Sequence, residues 1–473
     1  MKVAFVQSLP VMLESYLALS ASLKGGGVES EVFIDAFEKD LIFKIIESEA
    51  DLIGFNCLTG SYNWALAVTR KLKKIKNIPV VLGGCHPTYY PETIDFDSFD
   101  YICIGEGEGA LIELTEKIRD DKDPETVSNI GMRKNNKLKI NAPRSLVKDI
   151  NTLPFYNRRI YHKYNYFHNM PVYKYRTSRS CPYRCSFCFT RNQAELYSGQ
   201  NIFRTYSVDY IIEELQCIKK DYKNLRAIFF SDEIFGLDKK WAHDLLALFK
   251  NKINLPYTIT TRADLIDKDF VKLLKSTNCD LVSISIETAN EKLRREVLNK
   301  DISNQTVIDA GKLLYDAGIK TRVNCIFCLP GETLHDAFEN IKLMKQMKAF
   351  DPVGFLLQPY PKTAIHRYAV ENGCLKEGRI FDELDPLVYF KTPINLPDKK
   401  KIIVVQRLFA YACRVPFFDR LLRILVNIPN NILFDTMQKA GIALSHKHFY
   451  GLSWYVLIRY LLSARRLDMK ELS

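Results

Sequence analysis

The sequence predicts an α/β protein in three parts: an N-terminal doubly wound parallel sheet, a second α/β unit with the spacing of a partial or full (β/α) barrel, and a helical C-terminal domain. Three observations carry this. Short apolar runs alternate with amphipathic segments over the first 120 residues, the alternation resumes at Lys174, and it stops after about residue 370.

In the first part, Lys2 to Val6, Glu31 to Ile34, Asp51 to Phe55, Pro79 to Leu82 and Tyr101 to Ile104 read as strands, with helical patterns such as Asn63 to Ile75 and Ala110 to Ile118. Ligands on doubly wound sheets bind at the carboxyl ends of the strands, where this sequence places Thr59-Gly60, Gly83-Gly84 and Gly105-Glu106-Gly107. A polar, turn-rich stretch and then a run crowded with Tyr and Pro follow, read as a linker with a small hairpin. The second unit is read from strands at 227–231, 257–261, 281–286, 321–327 and 353–358, separated by helices such as Val208 to Lys220 and Gln305 to Ala317. Beyond it, Ile402 to Cys413 and Trp454 to Leu462 carry helical apolar stripes. The expected boundaries are 1–125, 126–173, 174–372 and 373–473.

Composition fits ordinary globular domains and excludes a disordered or fibrous chain: of 473 residues, 47% are apolar and 26% charged. Twelve cysteines are too sparse for a disulfide scaffold. The start, Met1-Lys2-Val3-Ala4-Phe5-Val6, lacks the long apolar run of a signal peptide. The longest apolar window, Phe449 to Leu462, is broken by Arg459. A reducing cytoplasm is the expected setting, and there clustered cysteines read first as metal ligands. The net charge of +12 is uneven, since residues 399–473 hold thirteen Lys or Arg against four Asp or Glu.

The most informative segment is Arg179-Ser180-Cys181-Pro182-Tyr183-Arg184-Cys185-Ser186-Phe187-Cys188. Three cysteines so spaced suit a loop wrapped around a cubane corner, each thiolate taking one iron of a [4Fe-4S] cluster. Three ligands leave one iron open, which marks a catalytic or substrate-binding metal. A zinc site would need a fourth close donor, and no histidine follows within a dozen residues of Cys188.

This segment resembles the cluster loop of the radical S-adenosylmethionine (SAM) enzymes, in which the aromatic before the last cysteine, here Phe187, lies beside the adenine. The resemblance continues through residues 174–370. Ser231-Asp232-Glu233 stands where the family has a Gly-Gly-Glu element for the methionine amino group, so side chains now lie where bare backbone is usual. Ser285-Ile286-Glu287 matches a Ser-x-Glu pattern on one face of a strand. Arg322 matches a position that pairs with the methionine carboxylate, and Leu329-Pro330-Gly331-Glu332-Thr333 matches the turn after that strand. Thr260-Thr261-Arg262-Ala263-Asp264 also resembles a family element. Each has a plainer reading: Asp232 and Glu233 could cap a helix, Arg322 could be a solvated edge residue, and Arg262 could pair only with Asp264. Cys325 and Cys328 are expected in the core.

Val81 to Thr88, including His86, Pro87 and Thr88, and then Tyr101 to Glu108 resemble the fourth- and fifth-strand loops of cobalamin-binding domains. Paired glycines there would let backbone approach a bulky flat ligand. Domains that ligate cobalt through histidine carry Asp-x-His-x-x-Gly after the first strand, where this chain has Ser8-Leu9-Pro10-Val11-Met12-Leu13. Together the resemblances imply a radical SAM enzyme with a [4Fe-4S] cluster, SAM and cobalamin. It would generate a 5′-deoxyadenosyl radical to methylate or oxidatively cyclise an unactivated carbon, as in the cobalamin-dependent radical methylases or the anaerobic magnesium-protoporphyrin monomethyl ester cyclase group. A one-electron donor such as flavodoxin or ferredoxin is implied, with a small-molecule or lipid-like substrate. The alternatives are a radical methylthiotransferase, for which Cys57, Cys85 and Cys103 would serve a second cluster, and a sensor that binds cofactor without turnover. The basic tail reads as a helical cap over the barrel mouth, or as a peripheral membrane contact through Arg407, Arg414, Arg420 and Arg423. Nucleic acid is not an expected partner.

Overall fold

Continuous apolar runs mark strands covered on both faces, and each sheet of this chain contains such strands, Val80–Gly83 in the first and Ala227–Phe230 in the second. The computed structural model describes residues 1–378 and 380–450, with Trp454, Tyr455, Leu457 and Ile458. It divides into two units, Met1–Asn169 with Glu195–Gln200, and Met170–Ala194 with Asn201–Leu452.

In the first unit, β1 (Lys2–Gln7), β2 (Glu29–Ile34), β3 (Leu52–Asn56), β4 (Val80–Gly83) and β5 (Tyr101–Cys103) pair in parallel in the order β2-β1-β3-β4-β5. The order reverses between β1 and β3, the switch point that opens a crevice at the carboxyl edge. Helices Glu14–Gly25 and Glu108–Arg119 pack together, as do Leu41–Glu47 and Tyr62–Ile75. Tyr62–Ile75 shows why: Trp64, Ala65, Val68 and Leu72 fall on one buried stripe, and Lys73 and Lys74 meet the negative end of the helix dipole.

The stretch read as a linker folds onto this unit. Its hairpin, β6 (Ile130–Lys134) and β7 (Lys137–Ile140), extends the sheet antiparallel from β5. Its tyrosines are anchors: the Tyr161 hydroxyl donates to Gln7 Oε1 at 2.6 Å and the Tyr164 hydroxyl to Glu38 Oε1 at 2.6 Å. A buried ring with a satisfied hydroxyl holds chain that has no regular structure of its own.

The second unit contains β8 (Val172–Tyr175), β9 (Ser178–Arg179), β10 (Arg204–Thr205), β11 (Ala227–Phe230), β12 (Tyr257–Thr261), β13 (Cys279–Glu287), β14 (Lys320–Phe327) and β15 (Asp351–Leu356). Six of these form one parallel sheet, β15-β14-β13-β12-β11-β8, and β9 and β10 form a separate antiparallel pair. Of the two barrel expectations the partial one is met. The crossover helices open on N-cap side chains: Ser207, Asp238, Asp267, Ser303 and Thr333 each accept a backbone N–H from the first turn.

The tail reverses one expectation. Helix Lys399–Arg414 buries Ile402, Val405, Leu408 and Phe409 and packs on β15 and helix Leu334–Gln346. Helix Ile432–Tyr450 lies on it and delivers Phe449 to Phe229, Leu281 and Val172. Ser445 donates to Asp351, the first residue of β15, at 2.7 Å. These contacts fall at the amino ends of β13, β14 and β15, so the described tail plugs that end of the partial barrel and does not cap its mouth. The stripe expected from Trp454 to Leu462 lies largely outside the described residues. Among the described residues no helix is long and apolar enough to cross a membrane.

Candidate active site

The cysteine loop leaves β9 through Ser180, whose φ of +67° bends the chain into the left-handed region just before Cys181. Its entry is pinned by Asp232. That carboxylate accepts from Thr177 N at 2.9 Å, Thr177 Oγ1 at 3.0 Å and Ser178 Oγ at 2.5 Å. Burial pushes the Asp232 carboxyl up to about 7, and the Ser178 and Thr177 donors pull it back. Asp232 is therefore spent on the loop and is not directed to a ligand, whereas Glu233 pairs with Arg176 at 2.5 Å and adds negative field at Cys181.

The loop's centre is held at Ser186. Its N–H donates to Leu298 O at 3.0 Å, its hydroxyl to Val297 O at 2.5 Å, and its carbonyl accepts from Ile365 N at 3.0 Å. Asn299 Nδ2 donates to Arg184 O at 2.8 Å. Cys188 N closes a turn onto Cys185 O at 3.1 Å, and Cys188 Sγ meets Thr190 Oγ1 at 3.2 Å. Phe187, between the anchored Ser186 and Cys188, is half-buried.

Among the described residues no three His, Cys, Asp or Glu side chains converge on one metal ion. A cubane asks for something else, because each thiolate takes its own iron. Cys181, Cys185 and Cys188 are all partly buried free thiols. Burial pushes Cys181 up to about 11, and the nearby Cys188 and Cys185 push the same way. Burial also raises Cys185, against the cations Lys300 and Arg262. Three soft donors on a pre-anchored loop fit a cluster, whose binding displaces thiol protons.

Ser285 and Glu287 are brought to this loop. At the end of β13 the register with β14 slips between them, and Glu287 takes φ +66°. Lys300 secures the bulge, donating to Ser285 O at 2.5 Å and to Glu287 Oε1 at 2.9 Å in a buried ion pair. Arg294, fully buried, secures the chain around it. Its Nε donates to Ile286 O at 3.1 Å and Thr288 O at 3.0 Å, its Nη1 to Ile302 O at 2.6 Å and its Nη2 to Asn304 Oδ1 at 2.7 Å. Arg262 stacks over the Tyr183 ring at 3.7 Å while pairing with Asp264 at 2.8 Å.

Arg322 is not brought there. It sits in the amino half of β14, facing Asp351 at 3.4 Å in a buried pair and lying 4.3 Å over the Phe449 ring. Its guanidinium is committed to the amino end of the barrel, away from the cysteine loop. The residue that patterning passed over is Asn324, two positions on and on the same face. Its Nδ2 donates to Ser285 Oγ at 3.1 Å, and its buried Oδ1 has no hydrogen-bond partner. The period-2 rule that linked Ser285 to Glu287 would also have found it. No sequence signal marks Lys300 or Arg294.

Glu332 is the other buried acid. One carboxylate oxygen accepts from Leu329 N at 3.1 Å and the other has no hydrogen-bond partner. Cys325 and Cys328 are enclosed as expected, although Cys328 lies just past β14 at φ +61°.

In the first unit, the loops after β3, β4 and β5 carry the remaining candidates. Thr59, Gly60 and Ser61 form a short 3-10 turn beside exposed Leu58, and His86, Pro87 and Thr88 lie in helix Cys85–Tyr89. His86 is enclosed, with Nδ1 3.4 Å from Thr59 Oγ1, Nε2 3.3 Å from Thr93 Oγ1 and its ring 4.5 Å from that of Tyr62. It is a core histidine and offers no nitrogen to a metal. Two expected ligand-facing glycines serve the unit itself: at Gly84, φ +95°, a Cβ would strike Cys57 O at 2.8 Å, and at Gly105, φ +74°, it would strike the Tyr197 hydroxyl. Thr88 Oγ1 accepts from Gly105 N at 3.1 Å, and the Tyr197 hydroxyl accepts from Glu106 N at 3.2 Å. At Gly83 a Cβ would meet nothing closer than 3.7 Å, and at Gly107 it would meet Leu19 at 3.2 Å. Exposed Leu58 with partly exposed Gly60 and Gly83 leaves a rim of apolar side chain and bare backbone that fits a flat ligand held without a protein metal donor. After β1, Gln7 Nε2 donates to Leu9 O and Val11 O, both at 2.6 Å, closing the loop that lacks a histidine. Cys57 and Cys103 are enclosed in the core of this unit while Cys85 is partly exposed, and burial raises the two enclosed thiols to about 12.

Burial pushes the Glu332 carboxyl from 4.5 up to about 8. The folded chain then holds a proton that the unfolded chain gives up earlier, so this stabilising contribution is complete below pH 4.5 and lost as pH rises through 8. Glu332→Gln, which mimics the protonated acid, should match the parent at the acid end and exceed it by a few kcal/mol above that range. Urea unfolding of the metal-free chain at both pH values checks this.

Residues 175–344 match the radical SAM superfamily and residues 16–115 match the B12 binding domain. An uncharacterised methyltransferase of Pyrococcus horikoshii is 29% identical over 371 residues, 76% of this chain and 79% of that protein. The anaerobic magnesium-protoporphyrin IX monomethyl ester cyclase of Rubrivivax gelatinosus is 25% identical over 398 residues, 80% of this chain and 69% of the cyclase. In fold, the radical SAM methyltransferase TsrM of Kitasatospora setae, solved with cobalamin and a [4Fe-4S] cluster, matches with TM-score 0.70 at 16% identity over 98% of each chain. The chain thus joins a B12 binding domain to a radical SAM domain, is an enzyme homologous to the anaerobic magnesium-protoporphyrin cyclase and to the methyltransferase of Pyrococcus horikoshii, and shares the fold of TsrM.

Proposed function

We propose that the chain methylates or oxidatively cyclises an unactivated carbon of a small-molecule substrate, using a [4Fe-4S] cluster on Cys181, Cys185 and Cys188, SAM at the carboxyl edge of β13 and β14, and cobalamin on the loops after β3, β4 and β5. The observation that carries the reading is the three-cysteine loop anchored at Asp232 and at Ser186, facing Lys300, Glu287 and Arg262. When bound, the cluster supplies the electron that cleaves SAM to a 5′-deoxyadenosyl radical, and cobalamin supplies methyl transfer.

The chain's own residues divide the work. Asn324 Oδ1 and Ser285 Oγ offer neighbouring polar atoms to the SAM sugar or amino group. Glu233, half-exposed beside Cys181, offers a carboxylate to the amino group. Lys300 and Arg262 take over the role expected of Arg322, supplying the positive field for the methionine carboxylate. Phe187 offers its ring to the adenine. In the first unit, exposed Leu58 and the backbone at Gly83 would face the corrin.

Cys185→Ala should reduce 5′-deoxyadenosine formation by the anaerobically reconstituted, chemically reduced enzyme to background; retention of cleavage would contradict the cluster assignment. Asn324→Ala should raise the KM for SAM about tenfold, the effect of one hydrogen bond lost at a buried site, while Arg322→Lys leaves it within about twofold. Steady-state SAM cleavage measures both.

A further inference from the structure

Helix Phe418–Leu425 has two apolar faces, and the fold uses one. Leu422 and Val426 are buried where it packs on helix Lys399–Arg414. On the other side Phe417, Leu421, Ile424 and Ile428 recur at intervals of four, three and four, a single helical stripe, and are exposed by 69, 47, 66 and 44%. The next helix, Ile432–Tyr450, opens with Ile432 and Leu433, exposed by 84 and 61%. An apolar stripe this long is rarely left to water without a use.

Charge says what covers it. Arg420 and Arg423 are exposed beside the stripe, lying over the rings of Phe417 at 5.1 Å and Phe338 at 4.5 Å. The carboxylates of the segment are neutralised from within: Asp419 by Lys345 at 2.7 Å and Asp435 by Arg407. Arg414 is likewise spent, on Asp351 at 2.5 Å. Of the four arginines expected to face a partner, Arg407 and Arg414 serve the fold and Arg420 and Arg423 remain. Phe417 opens the helix at φ +60°, a strained conformation for a bulky residue, and there its ring is mostly in water. Bulky apolar tips flanked by arginines, with no uncompensated carboxylate in the segment, match the headgroup layer of an anionic bilayer.

We propose that the stripe Phe417, Leu421, Ile424 and Ile428, with Arg420 and Arg423, docks this protein peripherally on an anionic lipid surface. The helix lies in the interface plane, its apolar side chains below the headgroups and its arginines among the phosphates. This does not depend on the chemistry proposed above.

The test is co-sedimentation of the full-length reconstituted enzyme with phosphatidylserine–phosphatidylcholine vesicles and with phosphatidylcholine alone, alongside sedimentation velocity without lipid. The parent should bind the anionic vesicles and release at high salt. Leu421→Glu with Ile424→Glu should weaken partitioning by at least about tenfold, and Arg420→Gln with Arg423→Gln by about tenfold with a shallower salt dependence. All should keep the parent's melting temperature and its SAM cleavage in solution, because these side chains are exposed. Failure of the parent to bind, equal binding of neutral vesicles, or binding unchanged in both variants would overturn the proposal. A dimer dispersed by the Glu variant, with no vesicle binding, would overturn it in favour of a second copy of the chain.

Discussion

The buried guanidinium of Arg294 is the constraint on which the rest of the barrel mouth depends. A guanidinium taken out of water costs several kcal/mol unless its donors are met. Here they are met by the carbonyls of Ile286, Thr288 and Ile302 and the side chain of Asn304, which draws the chain between β13 and the next helix into one fixed loop. That loop ends β13 at the Glu287 bulge, carries Lys300 back to Glu287, and presents Val297 and Leu298 to Ser186. A cation about a hundred residues from the cysteine loop in sequence thereby sets where that loop sits.

The mouth is expensive to build. Ser180, Glu287 and Cys328 hold left-handed backbone without being glycine, Glu332 and Asp232 hold carboxyls where burial favours the neutral form, and Asn324 leaves an oxygen unpaired. Such costs persist when the surroundings over-determine them, and these lie at the cysteine loop and along or just past β11, β13 and β14. The amino end has a different character: Asp351 gathers Arg322, Arg414 and Ser445 beneath Phe449. One end of the sheet is closed by the helical tail, and the other carries the cysteine loop and the Glu287 bulge.

Local pattern made the architecture legible. Parallel strands such as Val80–Gly83 and Ala227–Phe230 are short apolar runs whatever lies beside them, and the cysteine spacing is a local feature of one loop. What pattern could not assign were partners distant in sequence. Arg322 was matched by position to a ligand role, but the residue that claims it, Asp351, lies across the β14–β15 crossover, and Phe449 lies over a hundred residues on. Tyr161 and Tyr164 looked like linker composition because their acceptors, Gln7 and Glu38, are more than a hundred residues upstream. His86 and the glycines at 84 and 105 were read for a ligand, while Thr59, Cys57 and Tyr197 account for their placement.

The central claim is that this anchored loop presents a cluster with three protein ligands and one open iron to SAM. Electron paramagnetic resonance of the anaerobically reconstituted, dithionite-reduced chain, with and without SAM, tests it most directly. The account predicts a reduced [4Fe-4S] signal whose g values shift when SAM is added. A signal indifferent to SAM at saturating concentration would mean that the fourth iron is not open to it, and would contradict the account.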